Sequence, residues 1–311
     1  MPAANGKSSG GMFKSIQPRI FSFDVEWTPD PVAAEVLTGV KQHPPHSLPA
    51  AFRSIWEYGG GNDEILQPYI KTILCRVISI AGIFREQTKG QPPSLRLVSI
   101  PADPANTEKS KEARILEAFF KAVGRSKPQL VGYNSGNADL PILMQRAIIQ
   151  GVPSHGFAER PDKPWEGADY FAQSGDYHVD LASILGKFKN TPSLHEAATL
   201  SGIPGKIKVA GDSVADMWLI GKLRQIVEYN EFDAFTTHLL WARVAHFAGL
   251  LSGEEYEQEQ DLVRGLLESE IQGGKEHLEL FVEEWDRLRK IRERDLVQPG
   301  TDNEGEGESD A

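Results

Sequence analysis

The chain has a single cysteine, Cys75, among 311 residues. It can close no disulfide within itself and build no cysteine-ligated zinc site, and one free thiol fits a reducing compartment, so a cytoplasmic protein is expected. Long apolar runs are missing too. The most apolar stretches, 72–84 and 239–251, are too short or too polar to span a bilayer, so no membrane partner is expected. The opening residues, "MPAANGKSSGGMFKS", lack the apolar centre of a signal peptide. There is no internal repeat, and low complexity is confined to the two ends. Positive charge is scarce: the formal net charge is −11, and no long basic stripe occurs. Residues 293–311 hold seven acids and one arginine, which leaves about −5 for the body. An acidic body disfavours tight nonspecific duplex binding, which needs many phosphate contacts. It does not exclude a nuclease, because metal ions can supply positive charge locally.

What is present is an ordinary globular composition, 40% hydrophobic and 25% charged, in a chain long enough for one large domain or two modest ones. Residues 1–17 read as a flexible leader and 296–311 as a disordered acidic tail. Between them, 18–295 reads as one folded domain, with a core over about 18–252 and a helical extension over 253–295. A strand is expected at about 19–27. Residues 28–69, rich in Pro, Gly and His, read as a long connection with little regular structure. Strands follow at 72–86 and 94–100, as a hairpin. A helix is expected at 106–125, a strand at 128–134 and a helix at 139–151. Residues 177–185 read as a strand edge running into a helix. "SLHEAATLSGI" (193–203) opens on Ser193 with Glu196 three residues later, a capping-box pattern. Helical periodicity then covers about 216–252, 254–272 and 275–295. This order predicts the α/β class: a mixed five-stranded sheet flanked by helices, with the helical C-terminal third packed on the same sheet.

Three places carry chemistry. In "FSFDVEWTPD" (21–30), strand alternation puts Phe21, Phe23, Val25 and Trp27 on one face and Ser22, Asp24 and Glu26 on the other. Two carboxylates side by side repel, and only a counter-charge removes that cost. In "LVGYNSGNADLPIL" (130–143), an apolar strand ends in Asn134, and Asp139 stands where a helix begins, which is also where an N-cap would sit. In "EYNEFDAFTTHLLWARV" (228–244), Tyr229 and Asp233 lie one turn apart on a stripe that runs Ile226, Tyr229, Asp233, Thr237, Leu240, Val244, Phe247, Leu251. A carboxylate on a mostly buried stripe is costly unless it is paired or binds a metal. Four acids with no basic partner in the motifs point to hard divalent cations, Mg²⁺ or Mn²⁺. Two such ions stabilise the attacking and leaving oxygens in phosphodiester hydrolysis.

"FDVE", "GYNSGNADLP" and "YNEFD", in that order, resemble the three motifs of DEDD-type 3′–5′ exonucleases. The spacing Tyr229-x-x-x-Asp233 resembles the subclass with Tyr beside the last acid. The nearest likeness is to a bacterial group of predicted exonucleases similar to the proofreading domain of family B DNA polymerases, over about residues 18–250. "HVDLASILG", "SLHEAATLSGIPGK" and "GDSVADMW" add secondary likenesses. The resemblance implies a ribonuclease H-like fold, two divalent metal ions held by Asp24, Glu26, Asp139 and Asp233, and Tyr229 positioning the attacking water. It implies removal of nucleotides from the 3′ ends of nucleic acid, single-stranded DNA being preferred, with Asn134 as a polar support. The sequence departs from the family pattern at two places. Trp27 and then Thr28 follow the first acid pair, where Thr often comes first, and Ala138 replaces an aromatic before Asp139. Both changes touch where the terminal nucleotide would sit, so Trp27 and Thr28 are candidate substrate contacts, although alternation puts Trp27 on the apolar face.

Two rivals remain open: an exoribonuclease of the same chemistry, which recognition of the 2′-OH would decide, and a binding module without catalysis. "HPPH", with His43 and His46, lacks a third metal ligand and reads as a loop. "IPGKIK" (203–208) could touch a phosphate backbone or be a solvated turn. No polymerase core is expected, since only about 60 residues follow residue 250.

Overall fold

The computed structural model describes residues 13–40, 48–163, 166–172, 175–207 and 213–295. Strand β1 (Arg19–Pro29) is followed by α1 (Pro31–Thr38) and α2 (Leu48–Tyr58). The hairpin β2 (Cys75–Glu86) and β3 (Ser94–Ile100) leads to α3 (Glu112–Ser126), β4 (Gln129–Gly132), α4 (Asp139–Ile149) and the single turn α5 (His155–Ala158). Then come β5 (His178–Asp180), α6 (Leu181–Leu185), α7 (Leu194–Leu200), α8 (Val214–Leu219), α9 (Leu223–Phe247), α10 (Gly253–Gln272) and α11 (Glu279–Asp295).

The five strands form one mixed sheet in the order β3-β2-β1-β4-β5. β1, β2 and β3 pair antiparallel, while β4 runs parallel to β1 and β5 parallel to β4. This is the ribonuclease H-like α/β arrangement that the motif resemblance implies. Each face buries its own core. On one, Phe21, Phe23 and Val25 meet Phe119 of α3 and Ile142 of α4. On the other, Ile20 and Ile83 meet Phe235, Leu239 and Trp241 of α9, with Val263 of α10 and Phe281 of α11 behind them. The helical C-terminal third thus packs on the sheet, as expected. Period-two alternation along β1 turns Ser22, Asp24 and Glu26 toward α9, and a hydrogen bond of 2.9 Å between Ser22 Oγ and His238 Nδ1 fixes that side.

A β-bulge falls beside the acids. Glu26 pairs with Ser79, but Trp27 pairs with Val77, so Ile78 is the extra residue of β2. Ile78 joins Met217 of α8 and Ile226 of α9 in a small cluster of its own. Bulges bend a strand and re-aim its side chains, commonly beside functional sites.

The structure corrects several expectations. Residues 28–69 contain two helices. Asp30 caps α1 by accepting the Val32 N–H at 3.0 Å, with Pro31 in the first turn. α2 buries Ala51, Phe52 and Ile55, and Phe52 stacks on Trp218 of α8 with centroids 5.5 Å apart. The Pro- and Gly-rich composition masked an amphipathic turn pattern too short to read alone. The pattern at 216–252 is two helices, broken at Gly221 with φ +76°. Residues 107–110 form turns, and α3 starts at Glu112, whose carboxylate turns inward to the Val77 N–H and Arg146. β2 starts at Cys75, after a 3-10 turn at Thr72–Leu74. Residues 13–17, read as leader, are held in place: Phe13 is buried, and Gln129 Nε2 donates to the Ser15 carbonyl at 3.0 Å. His43 and His46, residues 1–12, Lys208 and the acidic tail lie outside the described residues. Among the described residues, no helix is long and apolar enough to cross a membrane.

Candidate active site

β1 leaves the shelter of β4 early. Their pairing ends at Ser22 and Val131, so the backbone beyond is free on that edge. Asp139, at the start of α4, fills the gap: its carboxylate accepts the backbone N–H of Val25, the residue between Asp24 and Glu26. Ala138 occupies the cap position of α4 and makes no side-chain cap bond, so Asp139 is the first helical residue and not an N-cap.

The turn from β4 to α4 is held by a carboxylate not foreseen from the sequence. Asp180, at the end of β5, accepts the N–H of Asn134 at 2.8 Å and of Gly136 at 3.1 Å. It also caps α6 through Ala182 N–H. Gly132 is required where the chain folds back, because a Cβ there would lie 2.6 Å from Ser135 Oγ. Asn134 adopts a left-handed φ of 57°, and its amide oxygen accepts from Asn137 Nδ2 at 2.9 Å. It is exposed and supports the turn that delivers Asp139. The available signal was "HVD", an acid closing an apolar strand as "FDVE" does.

α9 supplies the third side. Tyr229 donates its hydroxyl to the Asp233 carboxylate. The ligand oxygens of Asp24, Glu26 and Asp233 all lie within 4.8 Å of one another. Asp139 is not part of that triad, yet its charge bears directly on Asp24. Asp139 and Asp233 are only 4% and 6% exposed, and Asp24 and Glu26 are partly buried. The expected stripe holds over this part but is broken at Phe247, the last residue of α9, which is 78% exposed.

Burial is the first cause of an unusual electrostatic state. It raises Asp24 well above the carboxylate range, and the charges of Asp139, Asp233 and Glu26 add to it. It likewise raises Glu26. Burial pushes Asp139 to about 7 and Asp233 to about 6. Burial and then the surrounding acids lift the Tyr229 hydroxyl far above its ordinary value, so it stays protonated. Among the described residues, Lys206 opposes the acids, lowering Asp24, Glu26 and Asp233. Its backbone is fixed, since Lys206 N–H donates to His195 Nδ1 at 3.1 Å and Thr236 Oγ1 donates to the Pro204 carbonyl at 2.8 Å. In "IPGKIK", Lys206 thus stands near enough to the acids for its charge to act on them.

The donor set fits hard divalent cations. All the groups are carboxylate oxygens, and Asp233 Oδ1 is buried without a hydrogen-bond partner among the described residues. Such an orphaned oxygen is costly unless something positive meets it. Of the two candidate substrate contacts on β1, Trp27 packs against the Phe21–Phe23 core. Thr28 is 1% exposed, with its Oγ1 unpartnered.

A protein-family model, described as a predicted 3′–5′ exonuclease related to the exonuclease domain of PolB, matches residues 67–285. The match takes in Asp139, Tyr229 and Asp233 and starts after β1, which carries Asp24 and Glu26. No curated protein matches the chain.

Proposed function

The chain belongs to the family of predicted 3′–5′ exonucleases related to the exonuclease domain of PolB, and from that premise we propose that it is a divalent-metal-dependent hydrolase that removes nucleotides one at a time from the 3′ end of single-stranded DNA. The observation that carries this is the triad Asp24, Glu26 and Asp233, three carboxylates within 4.8 Å of one another. With Asp139 beside them, they would hold two Mg²⁺ or Mn²⁺ ions. Bound there, such ions supply the positive charge that stabilises the attacking and leaving oxygens of phosphodiester hydrolysis.

The chain's own groups have distinct tasks. Tyr229 keeps its proton and hydrogen-bonds to Asp233, so it orients the attacking water. Lys206 faces the same acids from its pinned loop and meets the phosphate of the incoming strand. Water forms the new O–P bond, the bond from phosphorus to the 3′ oxygen breaks, and the shortened strand keeps a 3′ hydroxyl. Asn134 and Asp180 hold the turn that positions Asp139. Thr28 supports the acid face of β1, and Trp27 backs that strand from its apolar face. A single strand suits the site because a 3′ end must thread down to carboxylates lying between sheet and helix. The free, buried thiol of Cys75 is compatible with a cytoplasmic setting.

The test is a paired digestion of 5′-labelled single-stranded DNA and RNA of one sequence, with Mg²⁺, Mn²⁺ or EDTA, alongside Asp24→Ala. A metal-dependent ladder shortening from the 3′ end, lost in the variant, is expected, with DNA cut faster. Full activity in Asp24→Ala would sink the proposal. RNA cut faster would make it an exoribonuclease. Binding of either strand without cleavage would make it a binding module.

A further inference from the structure

β5 closes the sheet order at its edge, and beside it, between α6, α7 and the last turns of α9, lies a groove of about 1130 Å³. Its floor is apolar, built from Val179 of β5 with Leu240 and Val244 of α9. Its rim is apolar too, and open to water. Phe188 is 90% exposed and Leu200 82%, and Phe247 is the residue that breaks the α9 stripe. An open apolar surface rimmed by polar groups marks a docking site.

Charge narrows the occupant. Lys14, Lys187 and Arg243 line the groove, and the exposed Phe188 stands in the run Lys187-Phe188-Lys189. The acids that line it are already engaged. Asp180 accepts from Asn134 and Gly136, Glu196 closes the capping box with Ser193, and Asp176 accepts from Ser15 Oγ at 3.0 Å. A segment with apolar residues followed by acids therefore fits.

One such segment begins at the groove. α11 packs on α7, where Arg292 Nη1 donates to the Leu200 carbonyl at 3.2 Å; Arg243 Nη2 donates to the neighbouring Ser201 carbonyl at 3.1 Å. α11 ends at Asp295, within a turn of Arg292. Its buried positions include Phe281, Trp285 and Leu288, and Arg292 and then Leu296 continue that spacing. Residues 296–311, outside the described residues, read LVQPGTDNEGEGESDA. Leu296 and Val297 are their large apolar side chains, and Asp302, Glu304, Glu306, Glu308 and Asp310 follow with no base among them. An extended run of that length spans up to about 50 Å, ample for a groove between three helices and a strand. Residues 1–12 also lead to the groove, through Phe13, but they carry a lysine and no acid, so charge disfavours them.

We propose that residues 296–311 turn back from α11 into this groove, with Leu296 and Val297 against Leu200 and Phe247 and the acids over Lys187 and Lys189. The test reads binding alone and is independent of any cleavage.

The experiment is an anisotropy titration of a dye-labelled peptide of residues 295–311 with the full chain and with a chain ending at Asp295, which keeps every helix and strand described above. The shortened chain should bind the peptide, and the full chain should bind it at least about 10-fold more weakly, because its own tail holds the groove. Leu296→Ser with Val297→Ser in the full chain should remove that difference. This comparison uses intact chains and decides the matter even where the shortened chain is unstable. In the shortened chain, Lys187→Glu with Lys189→Glu should weaken binding about 10-fold, while the same charge change at Lys89 and Lys121 should not. Equal affinity of the full and shortened chains, an unchanged affinity in the Leu296 and Val297 variant, no binding by the shortened chain, or equal losses in the two lysine pairs overturns the proposal. So does a full chain that doubles its mass in light scattering and returns to one chain without residues 296–311, which assigns the groove to the tail of a second copy. A short single-stranded DNA that binds the shortened chain where the peptide does not, and is lost with Lys187→Glu and Lys189→Glu, makes the groove a path for nucleic acid and overturns it as well.

Discussion

Carboxylates that repel one another are held together here by the surrounding fold. Asp139 and Asp233, pushed to about 7 and about 6 by burial, would titrate near 3.9 in an unfolded chain. The folded protein therefore binds these protons more tightly than the unfolded one. Their contribution to stability is complete below about pH 4 and is lost as pH rises through 6 and 7. In EDTA the Tm should fall between pH 5 and pH 8, by about 4 °C or more. Mn²⁺ should restore it at pH 8 and do little at pH 5. Asp233→Asn should abolish digestion yet raise the Tm in EDTA at pH 8, because it removes one repelling charge. Thermal melts with and without metal check both statements. Tyr229→Phe should lower kcat about 10–100-fold through a misplaced water, with the metal dependence of the rate unchanged. A parallel loss of metal affinity in that variant would show instead that the hydroxyl serves to hold Asp233.

At the scale of elements, α9 decides the site because it lies across β1 and β2. Ser22 of β1 meets His238, His238 Nε2 lies 3.2 Å from Glu259 Oε1 of α10, and Glu259 accepts from Arg85 Nε of β2 at 3.0 Å. All four are buried. Glu259→Ala leaves Arg85 and His238 without their partner and should cost about 3–5 kcal/mol, read by urea denaturation. The sequence shows the strands well, since β1, β2 and β3 carry their own apolar patterns and β3 lies where expected. It shows the acids because they sit at recognisable places: a strand, a strand end and a helix one turn past a Tyr. It hides α1 and α2, whose helicity depends on the Asp30 cap and on Phe52 docking against Trp218. It hides Asp180, which acts by hydrogen-bonding to backbone 44 and 46 residues earlier in the chain. It hides the nearness of Lys206 to the acids, which comes from a loop pinned by His195 and Thr236 on other elements.

For the whole molecule, the last two helices are structural and not an appendage. Val263, Leu267, Phe281 and Trp285 share one core with α9 and the sheet. A chain ending at residue 252 should lose the single cooperative unfolding transition and expose apolar surface, seen by calorimetry and dye binding. Cys75 gives the intact molecule a clock. It is the chain's only thiol, buried at the start of β2 and pushed up to about 12, so a thiol reagent reaches it only when that edge of the sheet opens. Its labelling rate reports the opening of the structure around the start of β2, opposite Pro29. Cations and a bound strand at the acid cluster should each slow that clock, and in Asp24→Ala the cation effect should vanish.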